Sequence, residues 1–388
     1  MIENLISLSL VEQCLLAVLL GVFLYQVYFC LRYYTISRKR ARSNSDKKED
    51  DISGASYPGV SVIVAARNEA HNLKPYLYRL LEQDYPEYEV IVINDGSEDN
   101  TQDIIDDYSA RYKRLRHTFV PRQARVSSTK KLALTLGVKA AKYEHLVFTD
   151  ADCCPQSNQW LKAVMSGYNG KDGVEIVLGM GAYFKDNSLL NRLIQYETLT
   201  SSLQYLGMAV AHRAYMGVGR NLSYVKNLFV KYNGFAHFAG EKAGDDDLFV
   251  NMSANRKNVA VVMTDRSLTW SVPKKNWKDW YQQRKRHLSV SHLYRFGSKL
   301  MLLCEPLSRG IFYAAVIALA VLGSPMVKCA AFALLLLRWL LLITVLDISA
   351  HRIGVPKVGV DLVLWDMVYP LITLWIISLS DKNNTGWK

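Results

Sequence analysis

The sequence predicts an α/β domain with a mostly parallel sheet, flanked by membrane helices at its two ends. Three observations predict it. Long uncharged apolar runs are confined to the two ends, β-branched runs alternate with helix-period segments between them, and acidic residues stand where the strands stop. The chain has 388 residues, of which 50% are hydrophobic and 21% charged, with a net charge of +12. That much apolar content excludes a disordered chain. The basic excess fits nucleic acid, an anionic substrate or an anionic membrane surface, so the placement of charge has to choose among them.

At the N-terminus, Leu15 to Leu31 carries no charge, and Val11, Gln13 and Cys14 extend the run. That is about the length of helix that crosses a bilayer core of roughly 30 Å. A cleaved leader would carry basic residues ahead of the run and a small-residue site behind it. Here the basic residues follow instead: Arg32, Arg38, Lys39, Arg40 and Arg42. The run over 1–34 therefore reads as an uncleaved anchor, with the chain beyond it on the cytoplasmic side. Residues 35–56, basic and then polar, read as a linker.

Residues 57–296 read as the α/β domain. Val60 to Ala66 is a β-branched run suited to a strand buried on both faces. Leu73, Leu77, Leu80 and Leu81 recur at helical spacing. Val90 to Ile93 form a second strand that ends in the turn formers Asn94, Asp95, Gly96 and Ser97. A helix through Ile104 and Ile105, a strand near Phe119, a helix through Leu132, Leu134 and Leu136, and a strand over 146–149 complete the alternation. Ligands of such sheets bind beyond the carboxyl ends of the strands.

Those ends are acidic. The first strand leads into Arg67, Asn68 and Glu69, the second into Asp95, and the fourth into Asp150-Ala151-Asp152. Carboxylates converging on one rim call for a cation or for ligand donors. In an extended segment Asp150 and Asp152 face the same way, and such hard oxygen ligands suit Mg²⁺ or Mn²⁺. The plainer alternative is that one of them caps a helix beginning near Pro155.

The segments VSVIVAARNEAHNL, VIVINDGSEDNT and LVFTDADC, in this order, resemble the donor-binding half of an inverting family 2 glycosyltransferase of the GT-A fold. The resemblance implies that Glu69, Asp95 and Asp150 approach the nucleoside and that Asp152 reaches a metal, Mg or Mn, on the diphosphate. Lys130, ahead of an Ala-Leu pair, matches the family's phosphate-side lysine; a solvated lysine at a helix start is the other reading.

Downstream, the Gly217–Tyr224 segment resembles the acceptor side. Gly244-Asp245-Asp246-Asp247-Leu248 resembles the motif that supplies the general base, leaving Asp245 and Asp246 as alternatives. Gln283-Arg284-Lys285-Arg286-His287 is similar to the Gln-x-x-Arg-Trp signature of membrane-associated members, with His287 in place of Trp. That signature implies a diphosphate or acceptor role for Gln283, Arg286 and His287. The partners so implied are a nucleoside diphosphate sugar, a UDP-sugar first of all, a lipid or glycan acceptor, and the membrane.

Competing classes fit less well. A sugar-phosphate nucleotidyltransferase needs a Gly-x-Gly-x-Arg loop after the first strand, where this chain reads AARNEAHN. A processive polysaccharide synthase remains the alternative within the family, although four crossings are few for a wide channel. Nucleic acid is not expected, because the basic residues cluster beside membrane segments. Six cysteines form no zinc or disulfide pattern.

Residues 297–381 complete the chain's membrane part, followed by a tail over 382–388. Leu300 to Leu307 is too short to span and reads as interfacial. Gly310 to Met326, Ala330 to Leu346 and Leu362 to Leu379 read as about three crossings, with Val327-Lys328 as the outer link and His351, Arg352 and Lys357 inside. Arg338 interrupts the second of these runs; a cation there marks a functional residue or, as the plainer alternative, faces other helices or a lipid phosphate. The expected location is the inner or plasma membrane, multi-pass, with the α/β domain in the cytoplasm.

Overall fold

The computed structural model describes residues 8–36, 57–121, 124, 126–169 and 172–378. The linker expected over 35–56 lies almost wholly outside the described residues, and the tail over 382–388 entirely so.

The N-terminal run forms α1, Leu10–Phe29, capped at Ser9 by a reciprocal bond with Glu12. It continues as a π-helical turn, Cys30–Tyr34. The α/β domain then runs β1 (Val60–Ala66), α2 (Ala70–Leu81), β2 (Tyr88–Asn94), α3 (Thr101–Arg111), β3 (Leu115–Phe119), α4 (Thr129–Ala140), β4 (His145–Phe148) and β5 (Cys153–Pro155). There follow α5 (Trp160–Met165), β6 (Ile176–Leu178), β7 (Gly181–Tyr183), α6 (Leu189–Val210), β8 (Leu222–Val225) and α7 (Lys226–Lys231). The domain closes with α8 (Asp247–Ser253), β9 (Val259–Val261), β10 (Thr269–Ser271) and α9 (Trp277–Leu288). Three long helices end the chain: α10 (Phe296–Leu322), α11 (Pro325–Ile353) and α12 (Asp361–Ser378).

The main sheet has seven strands in the order β3-β2-β1-β4-β8-β6-β9. β3, β2, β1 and β4 are parallel, β8 lies antiparallel to both β4 and β6, and β9 is parallel to β6. The expected mostly parallel sheet is thus the first half; past β4 the direction mixes. A small second sheet orders β5-β10-β7.

The two-residue period of β1 divides the core. Val60, Val62, Val64 and Ala66 join the leucines of α2 on one side. Ile63 and Ala65 join Ala133, Leu134 and Val138 of α4 on the other. α4 comes so close that a Cβ at Gly137 would stand 2.7 Å from an Ile63 methyl. The α6 helix is buried along almost its whole length and packs on the π turn of the N-terminal helix. A Cβ at Gly207 would lie 2.3 Å from the Tyr33 carbonyl oxygen, so only glycine allows that contact.

Leu10–Tyr34, Phe296–Leu322 and Pro325–Ile353 are the helices among the described residues that are long and apolar enough to cross a membrane. α12 is shorter, at 18 residues. Ile317, Val321, Phe332, Leu340, Leu371 and Leu374 point outward and exposed, an outer face fitted to lipid rather than water.

Two expectations change here. Leu300–Leu307 is not a separate segment but the first part of the continuous helix α10. Its charged break is internal, because Glu305 and Arg309, one turn apart, pair with each other. The link between the first two C-terminal crossings falls at Gly323-Ser324, with Pro325 at the first helical position and Val327-Lys328 already inside α11.

Arg338 faces other helices. Its guanidinium pairs with Asp366 of α12 and bonds Gln26 of α1 and the Tyr313 hydroxyl of α10. Arg309 adds Asp366 at 3.4 Å and the Tyr196 hydroxyl of α6 at 3.2 Å. The knot leaves a cavity of only about 20 Å³, room for one water.

Candidate active site

Three loops at the carboxyl ends of β1, β2 and β4 build the first wall. After β1 the chain turns through Asn68 at φ 56°, and Asn68 N–H donates to Ser97 Oγ at 3.0 Å while Asn68 Oδ1 accepts Glu98 N–H at 2.8 Å. Glu69 N–H donates to Thr101 Oγ1 at 2.9 Å. The loops after β1 and β2 are thereby sewn together, which brings Glu69 and Asp95 to one rim. Burial pushes the Glu69 carboxyl up to about 7; the Asn72 hydrogen bond opposes this and the nearby Asp152 and Asp150 reinforce it. Asp95 is buried, its pKa is raised by that burial, and its Oδ2 has no hydrogen-bond partner among the described residues. A buried acceptor left open is expensive unless a ligand supplies the donor.

Asp150 and Asp152 sit in a turn rather than an extended segment, closed by Cys153 N–H to the Asp150 carbonyl at 3.0 Å. The chain then enters β5, so neither aspartate caps a helix at Pro155; the next helix begins only at Trp160. Ligand atoms of Asp150, Asp152 and Cys153 lie within 4.8 Å of one another. The donor set fits a hard divalent cation. Burial holds the Cys153 thiol protonated, well above its usual range, and its sulfur sits 3.0 Å from Ser271 Oγ. That leaves the two carboxylates as the groups that could hold such a cation through oxygen. Asp152 is raised by burial and then by Asp150, with Arg220 opposing.

α4 delivers Lys130 from the opposite wall. Its ammonium lies 3.1 Å from Asp150 Oδ1 and 3.1 Å from Asp245 Oδ2. Burial works against this charge, but Asp150 and Asp245 more than offset it and hold its pKa above the ordinary range. Lys130 is therefore a bridge between the two halves of the site, not a solvated lysine. Its neighbour Lys131 points the other way and ties down the loop before α8, donating to the Phe238 and Glu241 carbonyls at 2.7 Å each.

The three consecutive aspartates divide their work. Burial disfavours the Asp245 charge, yet Lys130 outweighs it and keeps that carboxyl low. Asp246 caps α8: Oδ1 accepts Asp247 N–H at 2.8 Å and Oδ2 accepts Gly219 N–H at 2.6 Å. Burial and then the Asp245 charge raise Asp246 to about 6. Asp247 turns inward and accepts the Tyr294 hydroxyl at 2.7 Å, a structural contact.

α9 forms the remaining wall. Gln283 Nε2 donates to the Tyr183 hydroxyl at 3.3 Å. Arg286 makes no ion pair among the described residues, though its charge is felt at Lys130. His287 is exposed to the cleft; crowding by protein atoms and the charges of Arg284, Arg286, Lys130 and Arg220 push its pKa well down.

Arg220 was not singled out in the sequence. Its guanidinium stacks 4.2 Å from the Tyr183 ring centre and donates to the Ala182 carbonyl at 3.1 Å, with Asp150 and Asp152 favouring its charge. The available signal was a lone cation in a stretch of small and apolar residues ahead of β8.

A sheet of this order, with a carboxylate pair after its fourth strand and an aspartate-rich helix start joined to it through Lys130, defines a GT-A glycosyltransferase domain. Residues 61–224 match the profile of Glycosyl transferase family 2, and residues 145–377, more than half of the chain, match Glycosyl transferase family group 2. The chain belongs to the family 2 glycosyltransferases. It is 25% identical over 286 residues to the probable glycosyltransferase YdaM of Bacillus subtilis (strain 168), a match over 72% of this chain and 64% of that one. The chain thus spans somewhat less than two thirds of that relative's length. It is 39% identical over 94 residues to the poly-beta-1,6-N-acetyl-D-glucosamine synthase of Staphylococcus epidermidis, covering 24% of this chain and 22% of that enzyme. Among solved structures, the mannosyltransferase PcManGT of Pyrobaculum calidifontis, in complex with GDP-Man and Mn²⁺, superposes with a TM-score of 0.52 at 22% identity. That match covers 87% of this chain and 98% of the mannosyltransferase, and it bears on the fold alone.

Proposed function

We propose that the chain is a membrane-held, inverting glycosyltransferase. It moves a sugar from a nucleoside diphosphate sugar to a lipid or glycan acceptor at the cytoplasmic face. The observation that carries this reading is Lys130, shared at 3.1 Å between the carboxylate turn of Asp150 and the acidic loop of Asp245. Glu69 and Asp95 face the nucleoside, and the open Asp95 oxygen accepts a donor from it. Asp150 and Asp152 would hold Mg²⁺ or Mn²⁺, which neutralises charge on the diphosphate when bound.

Lys130, Arg220 and Arg286 add fixed positive charge for the leaving group, oriented in advance. Gln283 and His287 line the same wall. Asp246 is the general base. Its raised pKa makes it a better proton acceptor near neutrality than Asp245, whose charge is committed to Lys130. The acceptor hydroxyl proton passes to the Asp246 carboxylate while the acceptor oxygen bonds to the anomeric carbon and the bond to the diphosphate breaks. One such displacement inverts the anomeric centre.

The membrane side follows from charge. Arg32 leaves the first helix, and His351 and Arg352 end α11, on the side of the α/β domain, as cytoplasmic loops do. Membranes holding the wild-type chain, incubated with radiolabelled UDP- and GDP-sugars and Mg²⁺ or Mn²⁺, should transfer label. A single lipid-soluble product indicates one transfer, a ladder a synthase. Asp152→Asn should abolish transfer at unchanged expression; transfer at the wild-type rate would remove the metal and donor assignment.

A further inference from the structure

One buried carboxylate has no part in the cleft. Glu197, on α6, is 2% exposed. Three donors from two other helices converge on it. Arg284 Nη1 of α9 lies 2.8 Å from Oε1, the Tyr369 hydroxyl of α12 donates to the same oxygen at 2.5 Å, and Trp280 Nε1 of α9 donates to Oε2 at 3.4 Å. Trp280 and Arg284 are one turn apart and share a helix face. They fasten that face of α9 to α6, while Gln283 reaches Tyr183 and the charge of Arg286 is felt at Lys130.

A buried ion pair is weak support for stability as such, because desolvation offsets much of its attraction. What it fixes is register. Were α9 held by apolar contacts alone, it could slide or roll by part of a turn. A carboxylate with three directional donors allows one seat. From that seat Gln283 reaches Tyr183, and the Tyr183 ring supports Arg220 beside Asp152. α12 is tied to the same α6 segment twice. Tyr369 reaches Glu197, and Asp366, one turn earlier, shares Arg309 with Tyr196.

We infer that Glu197 is a positioning residue: it locks the Gln283–His287 helix against the C-terminal membrane helix and so sets how tightly the cleft grips a nucleoside diphosphate. The inference rests on the donor reading above. It makes the membrane helices part of the donor site's scaffold rather than only its anchor. It also assigns Arg284, inside the basic motif, to the scaffold and not to the substrate.

The test uses the full-length chain in detergent or nanodiscs, with UDP and GDP in the presence of Mn²⁺ as titrants and thermal melting as the control for folding. Glu197→Gln keeps the shape and one acceptor oxygen, enough for Tyr369 or Trp280 but not both, and loses the ion pair. It should weaken nucleoside diphosphate binding and raise the donor KM by roughly tenfold to a hundredfold, as small misplacements of a binding helix do. Tyr369→Phe keeps both charges and is the milder change; it should weaken binding about tenfold, the loss of one hydrogen bond to a charged carboxylate. The double variant Glu197→Gln/Arg284→Gln should be no worse than the poorer single one, since both act through one contact. Wild-type affinity in folded Tyr369→Phe and Glu197→Gln, or additive losses in the double variant, would overturn the inference while leaving the donor reading intact. A wild-type chain that binds neither nucleotide and transfers no sugar would instead remove both.

Discussion

The cleft and the membrane knot are built from the same residue types and solve opposite problems. In the knot, Glu305 and Asp366 meet Arg309 and Arg338, and Gln26, Tyr196 and Tyr313 fill the remaining hydrogen-bonding positions. Two charges balance two, and the space left over holds one water at most. In the cleft, Glu69, Asp95, Asp150, Asp152, Asp245 and Asp246 outnumber Lys130, Arg220 and Arg286 even with Arg67 and Lys274 beside them. Burial raises the pKa of Glu69, Asp95, Asp152 and Asp246 together. A balanced cluster is complete in itself, whereas one with surplus carboxylates and an open acceptor at Asp95 is complete only with a cation and a ligand. Removing a charge should therefore have opposite consequences in the two places.

The largest effect belongs to the cleft. Asp246→Asn should lower kcat by about 10²- to 10⁴-fold, the range for a lost general base, while the relief of a buried charge and the loss of one of its two backbone N–H bonds largely offset each other in the melting temperature. The sign follows from linkage. Asp246 titrates at about 6 in the fold against a reference of 3.8, so its charge opposes folding at neutral pH. That penalty fades as pH falls through about 6 toward 3.8, and Asn removes it at every pH. Activity runs the other way, because the base must be ionised. In the wild type, kcat/KM should fall about tenfold per pH unit below about 6. A pH profile flat down to 5, or kcat near the wild-type value in Asp246→Asn, would move the base to Asp245.

In the knot the same chemical change should act on stability first. Asp366→Asn leaves Arg309 and Arg338 short of a counter-charge in a buried site, which costs about 3–5 kcal/mol. Arg338→Met combined with Asp366→Leu removes the pair together, keeps Glu305 with Arg309, and should recover most of the melting temperature. If Asp366→Asn melts with the wild type, the knot is not the closed structural cluster described above.

How much of this the sequence disclosed differs between the same two regions. β1, α2, β2 and α4 were legible because their apolar periods are undisturbed and their turns carry Asn, Asp and Gly. Glu69, Asp95, Asp150 and Asp152 were legible as strand-end acids, since topology alone takes those ends to one rim. Pairings between distant segments were not. Nothing local says that Lys130 bridges Asp150 to Asp245, or that Arg284 turns from the cleft toward Glu197. The break expected after Leu307 failed for a related reason. Glu305 and Arg309 interrupt an apolar run when counted singly, but as an ion pair one turn apart they let the helix continue. Arg220 escaped notice because its role depends on Tyr183, 37 positions away in sequence but under its guanidinium in space.

That last contact sets the finest comparison between the two regions. Tyr313 in the knot and Tyr183 in the cleft both offer a hydroxyl to a neighbour and a ring to an arginine. In the knot the hydroxyl completes a buried ion pair. In the cleft it holds Gln283 alone among the described residues, while the ring supports Arg220. Tyr183→Phe keeps the ring and loses one neutral hydrogen bond, about 1 kcal/mol or roughly a fivefold change. It should raise the donor KM by that factor with kcat nearly unchanged if, as proposed, Gln283 grips the donor and does not move the proton. Tyr183→Ala also takes the ring from beneath Arg220, and kcat should then fall as well. If Tyr183→Phe lowers kcat instead and spares KM, Gln283 acts on the acceptor side of the cleft rather than on the diphosphate.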